Sequence, residues 1–386
     1  MPPKTKDITI TSKDLKEKLG KEPEIEQIDA LLNDKRFKDT HYNNIETPRW
    51  LVSTGSIMLD YALSHDGSMG IGSQILKITG DEGTGKTSFC LGLAKNFQDL
   101  GDNFFVVCFN AEGRLNDTII HRSDLNLSEN KFKMIHCNIA ETVFGIVREL
   151  VQNNEKNRRY CFIIDSLDAL VRLEDNSKDY TESARIAGVP LISKTFCKTT
   201  SLPITKGNHL LLITGQTIAN IGGSVHGPKS ISTGGKAVKF FSTTMLEVKP
   251  VWTDTIIWEN PGAGKISDKG KRLGHYFQVE IKKAIAEKAG ETLQIPIRHG
   301  SAPGKAIWKE IEIKDLMMSW DLLKGGAAGR YELAESLVKE LTDNKIEHQV
   351  KFVGESSILE YLEENPKFTN YMVDRFKKTL FNSPSL

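Results

Sequence analysis

The stretch ILKITGDEGTGKTSFCLGLAKNF, residues 75–97, constrains this chain more than any other. An apolar run enters it, Gly80 and Gly85 bracket four residues, Lys86 and Thr87 follow at once, and an apolar helix-forming segment leaves. The pattern G-x-x-x-x-G-K-[ST] between a strand and a helix is a phosphate loop. Its glycines let backbone N–H groups turn inward, and the helix N-terminus adds partial positive charge, so a phosphate is stabilised there. Lys86 is expected to reach the β- and γ-phosphates, and the Thr87 hydroxyl to bind Mg²⁺. Gly80, Asp81, Glu82, Gly83, Thr84, Gly85, Lys86, Thr87 and Ser88 are then expected to line a nucleotide, with ATP and Mg²⁺ as the cofactors.

Such a loop needs a sheet behind it. Strand-like runs recur at 74–79, 104–109, 131–136, 160–165, 209–214, 243–248, 275–281 and 292–297, with helix-like segments between the early ones. Apolar strands alternating with helices predict an α/β fold with a mostly parallel central sheet. The late runs follow one another without helices and are expected to add antiparallel edges. Upstream, TSKDLKEKLG and EPEIEQIDALLND read as two short helices, the first closed by Gly20. Downstream, RYELAESLVKEL, ILEYLEEN and NYMVDRFKKTL carry apolar residues at helical spacing. The expected organisation is a helical N-terminal segment and linker (1–50), an ATPase core (51–305) and a small α-rich C-terminal domain (306–386).

Composition narrows the class. Hydrophobic residues are 39% and charged residues 26% of 386, ordinary for a globular chain. The five cysteines, Cys90, Cys108, Cys137, Cys161 and Cys197, are scattered with no C-x-x-C pair, which fits free thiols in a reducing compartment rather than a metal or disulfide frame. MPPKTKDITI lacks a hydrophobic signal core, and no apolar run approaches the ~20 residues of a bilayer span. The expectation is a soluble, intracellular protein of the cytoplasm, with no membrane partner.

Two acids join the phosphate loop. YCFIIDSLDAL ends a buried run in Asp165, where a strand-end carboxylate holds the shell of Mg²⁺, here through water. FFVVCFNAEGRLND puts Glu112 three residues past another strand. It is either the group that orients an attacking water and accepts its proton, or an exposed loop glutamate.

Taken in order, these stretches resemble the RecA family of DNA recombinases over roughly residues 51–300. VSTGSIMLDYAL precedes the phosphate loop, NAEGRLND resembles the family's acidic catalytic loop, and FIIDSLDAL resembles its strand-end acid. LLLITGQ places Gln216 at the family's γ-phosphate sensor, and STGGKAVKFFST resembles the close of its second DNA loop. The divergence is nearer the phage-borne members. Asn110 and Asn116 stand where many relatives carry acids, which bears on base and sugar contacts and not on phosphate binding. The resemblance implies a filament on single-stranded DNA that pairs it with a homologous duplex, exchanges strands and hydrolyses ATP held between subunits, with mediator and single-strand-binding proteins as candidate further partners. It also implies that Lys282 reaches the neighbouring subunit's ATP. The family's second such lysine falls on Ala284, while Lys283 is displaced by one residue and so points to the other strand face.

The segment after Gln216 fits this. Residues 217–240 hold five glycines and three lysines. The chain's net charge is +1, yet residues 181–250 carry eight Lys and Arg against two acids. Positive charge contacts nucleic-acid phosphates and releases counterions. Lys229, Lys236, Lys239 and, in the first DNA loop, Arg185 are the candidate cations. Gly222 and Gly223 allow close backbone approach. With no Trp or Tyr in 209–240, base stacking fits poorly, and Ile221 and Val225 are the candidate wedges. A ring-shaped motor of the same fold, a regulatory ATP-binding scaffold without DNA activity, and a merely solvated loop remain the alternatives.

Overall fold

The computed structural model describes residues 25–36, 50–64, 69–176, 188–219, 230–232, 235–260, 262–285, 288–325 and 329–382. The chain divides into two units, residues 1–48 and 49–386. In the first, EPEIEQIDALLND gives α1 (Ile25–Leu32), and the helix expected at 11–20 lies outside the described residues.

In the second unit, α2 (Ile57–Leu63) precedes β1 (Gln74–Gly80), and the phosphate loop runs straight into α3 (Lys86–Gln98). There follow β2 (Phe104–Asn110), α4 (Asp117–Arg122), β3 (Phe132–Ile135), α5 (Ala140–Gln152), β4 (Arg159–Asp165), α6 (Leu173–Asn176), α7 (Gly188–Lys206) and β5 (Leu210–Gly215). After β5 come β6 (Thr217–Ala219), β7 (Ser230–Ser232), α8 (Gly235–Phe241), β8 (Thr244–Val248), β9 (Ile256–Trp258), β10 (Arg272–Lys283) and β11 (Thr292–Arg298). The large sheet has the order β11-β10-β8-β1-β5-β4-β2-β3, with β9 paired to β10. Around β1 the pairs β1–β5, β4–β5, β2–β4 and β2–β3 are all parallel.

The antiparallel edge is smaller than expected. β9, β10 and β11 are antiparallel, but β8 joins β1 in parallel register, Leu76 opposite Thr244. The reason is α8, which returns the chain to the same sheet end before β8 starts. Its short GKAVKFF sequence sits in a glycine-rich stretch that reads as loop. Likewise Thr217–Ala219 and Ser230–Ser232 pair as a two-stranded ribbon within that stretch.

β1 is buried along its whole length because helices cover both sheet faces. Leu76 and Ile78 pack with Phe97, Val106, Cys161 and Leu212 on one face. Ile75 packs with Phe162, Ile213 and Val238 on the other. The cysteines are free thiols, and those on α3, β2, β4 and α7 are buried. Burial pushes the Cys108 and Cys197 thiols up to about 12, so both remain neutral packing groups.

A third core joins Ile57 of α2 to α9 (Lys309–Ser319), α10 (Glu335–Asp343), α11 (Glu355–Glu364) and α12 (Pro366–Asn382). These helices are accompanied by a small antiparallel sheet of β12 (Leu323–Gly325), β13 (Arg330–Leu333) and β14 (Lys351–Val353). Buried Glu312 of α9 accepts from Ser56 Oγ at 2.6 Å and from the backbone N–H of Met58 at 3.1 Å. It thereby satisfies free donors at the start of α2. No described helix is long and apolar enough to cross a membrane.

Candidate functional site

The phosphate loop's backbone leaves little choice of residue. A Cβ on Gly80 would meet the Val248 carbonyl oxygen at 2.5 Å, and Gly85 holds φ +94. The first allows β1 and β8 to approach, and the second is a left-handed conformation that glycine adopts without steric cost. Lys86 Nζ donates to the carbonyls of Gly80 at 2.8 Å and Asp81 at 2.6 Å, while Thr84 Oγ1 donates to the Asp81 carbonyl at 2.8 Å. The Lys86 ammonium is thus folded into the concave side of its own loop. Burial lowers its pKa, against the opposing pull of Asp165, Glu112 and Asp81. Asp81, Glu82 and Ser88 are exposed, Thr84 is buried, and Thr87 is half-buried.

Parallel pairing brings the ends of β1, β4 and β5 side by side. Thr87 Oγ1 donates to Asp165 Oδ2 at 2.8 Å, and Thr214 Oγ1 donates to Asp165 Oδ1 at 2.5 Å. Asp165 is therefore fixed by a hydroxyl on each oxygen. A hydroxyl beside a carboxylate is a hard-oxygen donor set suited to a small divalent cation with several waters. Glu112 stands across the same sheet edge, past β2, where Ser166 Oγ donates to its Oε1. Arg114 Nε lies 3.4 Å from Glu112 Oε2, and its NH1 pairs with Glu82 at 2.5 Å. Phosphate loop, strand-end acid and Glu112 thus converge on one end of the sheet.

Gln216 is exposed directly after β5, and its backbone N–H donates to Asp168 Oδ2 at 2.7 Å. Thr217 Oγ1 donates to Asp81 Oδ1 at 2.7 Å. Asn110 is buried and donates to the Leu115 carbonyl at 3.3 Å, and Asn116 caps α4 through the Ile119 N–H. Sequence reasoning missed Arg114, Ser166, Asp168, Thr214 and Thr217. Ser166 and Thr214 had a signal: hydroxyls beside a strand-end acid and two residues before the sensor position. The others depend on which loops meet.

The cationic candidates separate. Lys282 pairs with Glu280 at 2.5 Å and lies 3.4 Å from Glu247, and Lys249 bridges the same two acids at 2.6 and 2.5 Å. Lys283, past a register shift in β10, donates to the carbonyls of Phe240 at 2.9 Å and Ser242 at 2.6 Å. Lys239 is exposed on α8. Lys236 lies on α8 with its side chain outside the described residues, as are Arg185, Ile221, Gly222, Gly223, Val225 and Lys229 altogether.

A phosphate loop between a buried parallel strand and its helix, with an acid on a nearby strand, defines an α/β protein of the P-loop class. The chain belongs to the family of the RecA N-terminal domain, which it matches over residues 30–266, more than half its length. Its relatives include Protein RecA of Mycoplasma mycoides subsp. mycoides, 26% identical over 342 residues, covering 87% of this chain and 85% of that protein. Protein RecA of Rickettsia bellii is 26% identical over 325 residues (83% and 81%), and that of Borrelia duttonii 24% over 379 (96% and 93%).

Proposed function

We propose that the chain is a DNA-dependent ATPase that assembles on single-stranded DNA and catalyses homologous pairing and strand exchange. The observation that carries this reading is the meeting of Thr87 and Asp165 at 2.8 Å, with Glu112 across the sheet edge, in a member of the RecA family. ATP with Mg²⁺ supplies the cleavable phosphoanhydride. Thr87 would hold the cation directly and Asp165 through water. Lys86, freed from its loop carbonyls, would neutralise the phosphates. Glu112, oriented by Ser166 and Arg114, would direct a water and accept its proton. Gln216 would sense the terminal phosphate where the chain leaves β5.

In this reading residues 51–305 are the motor, 1–50 link subunits, and 306–386 form a small C-terminal domain packed on α2. Lys282 would exchange its partners Glu280 and Glu247 for the neighbour's ATP when subunits assemble. DNA would be held by Arg185, Lys229, Lys236 and Lys239 with the glycines and apolar side chains between 221 and 225. The protein would work in the cytoplasm with single-strand-binding and mediator proteins. The test is ATP turnover with and without single-stranded oligonucleotide, with electron microscopy of the same samples. Stimulated turnover with helical filaments is expected, and both are lost in Lys86→Ala. Unstimulated turnover by isolated particles would overturn the reading, and rings would favour a motor.

A further inference from the structure

Glu247 of β8 and Glu280 of β10 stand directly opposite each other on paired antiparallel strands. Like charges so placed repel, and the pair needs cations beside it. Two lysines supply them. Lys249 Nζ donates to Glu247 Oε1 at 2.5 Å and lies 2.6 Å from Glu280 Oε2. Lys282 Nζ donates to Glu280 Oε1 at 2.5 Å and lies 3.4 Å from Glu247 Oε2. Each carboxylate thus turns one oxygen to each lysine. Burial alone would lower the pKa of Lys249, yet the two carboxylates raise it overall. Burial alone would raise that of Glu280, yet the two lysines lower it overall.

The backbone makes the two lysines unequal. Lys249 continues the regular ladder, its N–H donating to the Gln278 carbonyl at 3.0 Å. Lys282 falls at the register step in β10, between Ile281 opposite Leu246 and Lys283 opposite Met245. It is the extra residue of a β-bulge, a feature that re-aims a side chain and interrupts pairing. We propose that Lys249 is a positioning residue that keeps Lys282 available: it stays with both acids, neutralises them when Lys282 swings out, and by its like charge weakens their hold on Lys282 beforehand. Without it, Lys282 would bridge the two facing carboxylates by itself and be held by both. The use made of the released ammonium rests on the reading that Lys282 serves the neighbouring subunit's ATP, whereas the control exerted by Lys249 does not.

The test is the rate at which a small acylating reagent modifies the Lys282 amine in the full chain, free of DNA and nucleotide, read by peptide mass spectrometry. Lys249→Met is expected to slow it about fivefold, the scale of one strengthened ion pair near the surface. Lys249→Arg keeps the charge and the wild-type rate. Lys249→Met combined with Glu280→Gln restores the rate, because one of the two acids is gone; further damage to a merely structural cluster would restore nothing. Retained amide protection in β1 verifies that the variants fold. An amine equally reactive in Lys249→Met, or one that the second substitution leaves slow, overturns the proposal. DNA-stimulated ATP turnover reports separately on what Lys282 does once released: it should fall in Lys249→Met and recover in the double variant. If Lys282→Met turns over ATP as fast as the wild type, the reading at the neighbour's ATP fails, and the reactivity result still decides the role of Lys249.

Discussion

Glu112 and His209 are two residues whose environments make opposite demands on charge. Glu112 is held at one oxygen by the Ser166 hydroxyl and approached at the other by the Arg114 guanidinium, an arrangement that keeps a carboxylate aimed at the sheet edge. Glu112→Gln keeps the shape and loses the base. It is expected to bind an ATP analogue normally and to turn over ATP about 10²-fold more slowly or worse. Normal turnover would remove Glu112 from its role. His209 is buried beneath Tyr160 and Phe162, and its Nδ1 accepts from the Tyr160 N–H at 3.1 Å, so the ring must stay neutral. Burial, with Arg159 nearby, lowers its pKa from 6.5 to about 3. Below pH 6.5 the unfolded chain takes up a proton that the folded chain refuses. The folded state therefore loses stability as pH falls, by about 2 kcal/mol at pH 5 for this group. Urea unfolding at about pH 7 and about pH 5 checks this: His209→Asn should be less stable at the higher pH yet lose less between the two. Equal losses would refute it. The position of Glu112 past a strand end was legible in the sequence, but its pairing with two partners was not, since Ser166 follows a different strand, β4, and Arg114 turns back toward Glu82.

At the scale of elements, the outcome turned on glycine-rich sequence. The apolar runs that became β1, β2, β4 and β5 were legible because buried parallel strands are continuously apolar. β6, β7 and α8 were not, since elements of three to seven residues set in a glycine-rich stretch are too short to show periodicity; their structure comes from pairing and from contacts that arrive from elsewhere. Lys283 is one such contact. Its ammonium meets the carbonyls of Phe240 and Ser242, at and just past the end of α8, where unpaired carbonyls and the helix dipole favour a cation. Lys282, one residue earlier, lies with the acids of β8 and β10 instead. Lys283→Met is therefore expected to fray the end of α8, weakening protection of the amides at 239–242 by about 1 kcal/mol. Lys282→Met should leave them unchanged and lower turnover only under conditions of assembly. Hydrogen exchange on both variants checks the division, and fraying in Lys282→Met would undo it.

For the whole molecule, the sequence showed where charge gathers more clearly than how the C-terminal domain is built. Helical spacing there was plain, yet β12–β14 escaped notice because three- and four-residue strands with exposed edges carry no alternation long enough to read. Charge needs no fold to be counted. A chain of net charge +1 that places eight basic and two acidic residues in 181–250 must balance them with excess acid elsewhere, so its field is directional. If Arg185, Lys229, Lys236 and Lys239 each neutralise one phosphate, log K should fall with log salt at about −0.7 per contact, a slope near −2.8. Affinity for a single-stranded oligonucleotide would then drop about fiftyfold between 50 and 200 mM salt. Each alanine substitution among the four should flatten the slope by about 0.7 and weaken binding to different sequences alike, because a phosphate contact carries no base information. Fluorescence anisotropy across a salt series measures both quantities. A slope near zero would mean that the charge of this segment merely keeps it solvated, and a slope unchanged by all four substitutions would place the DNA surface elsewhere on the molecule.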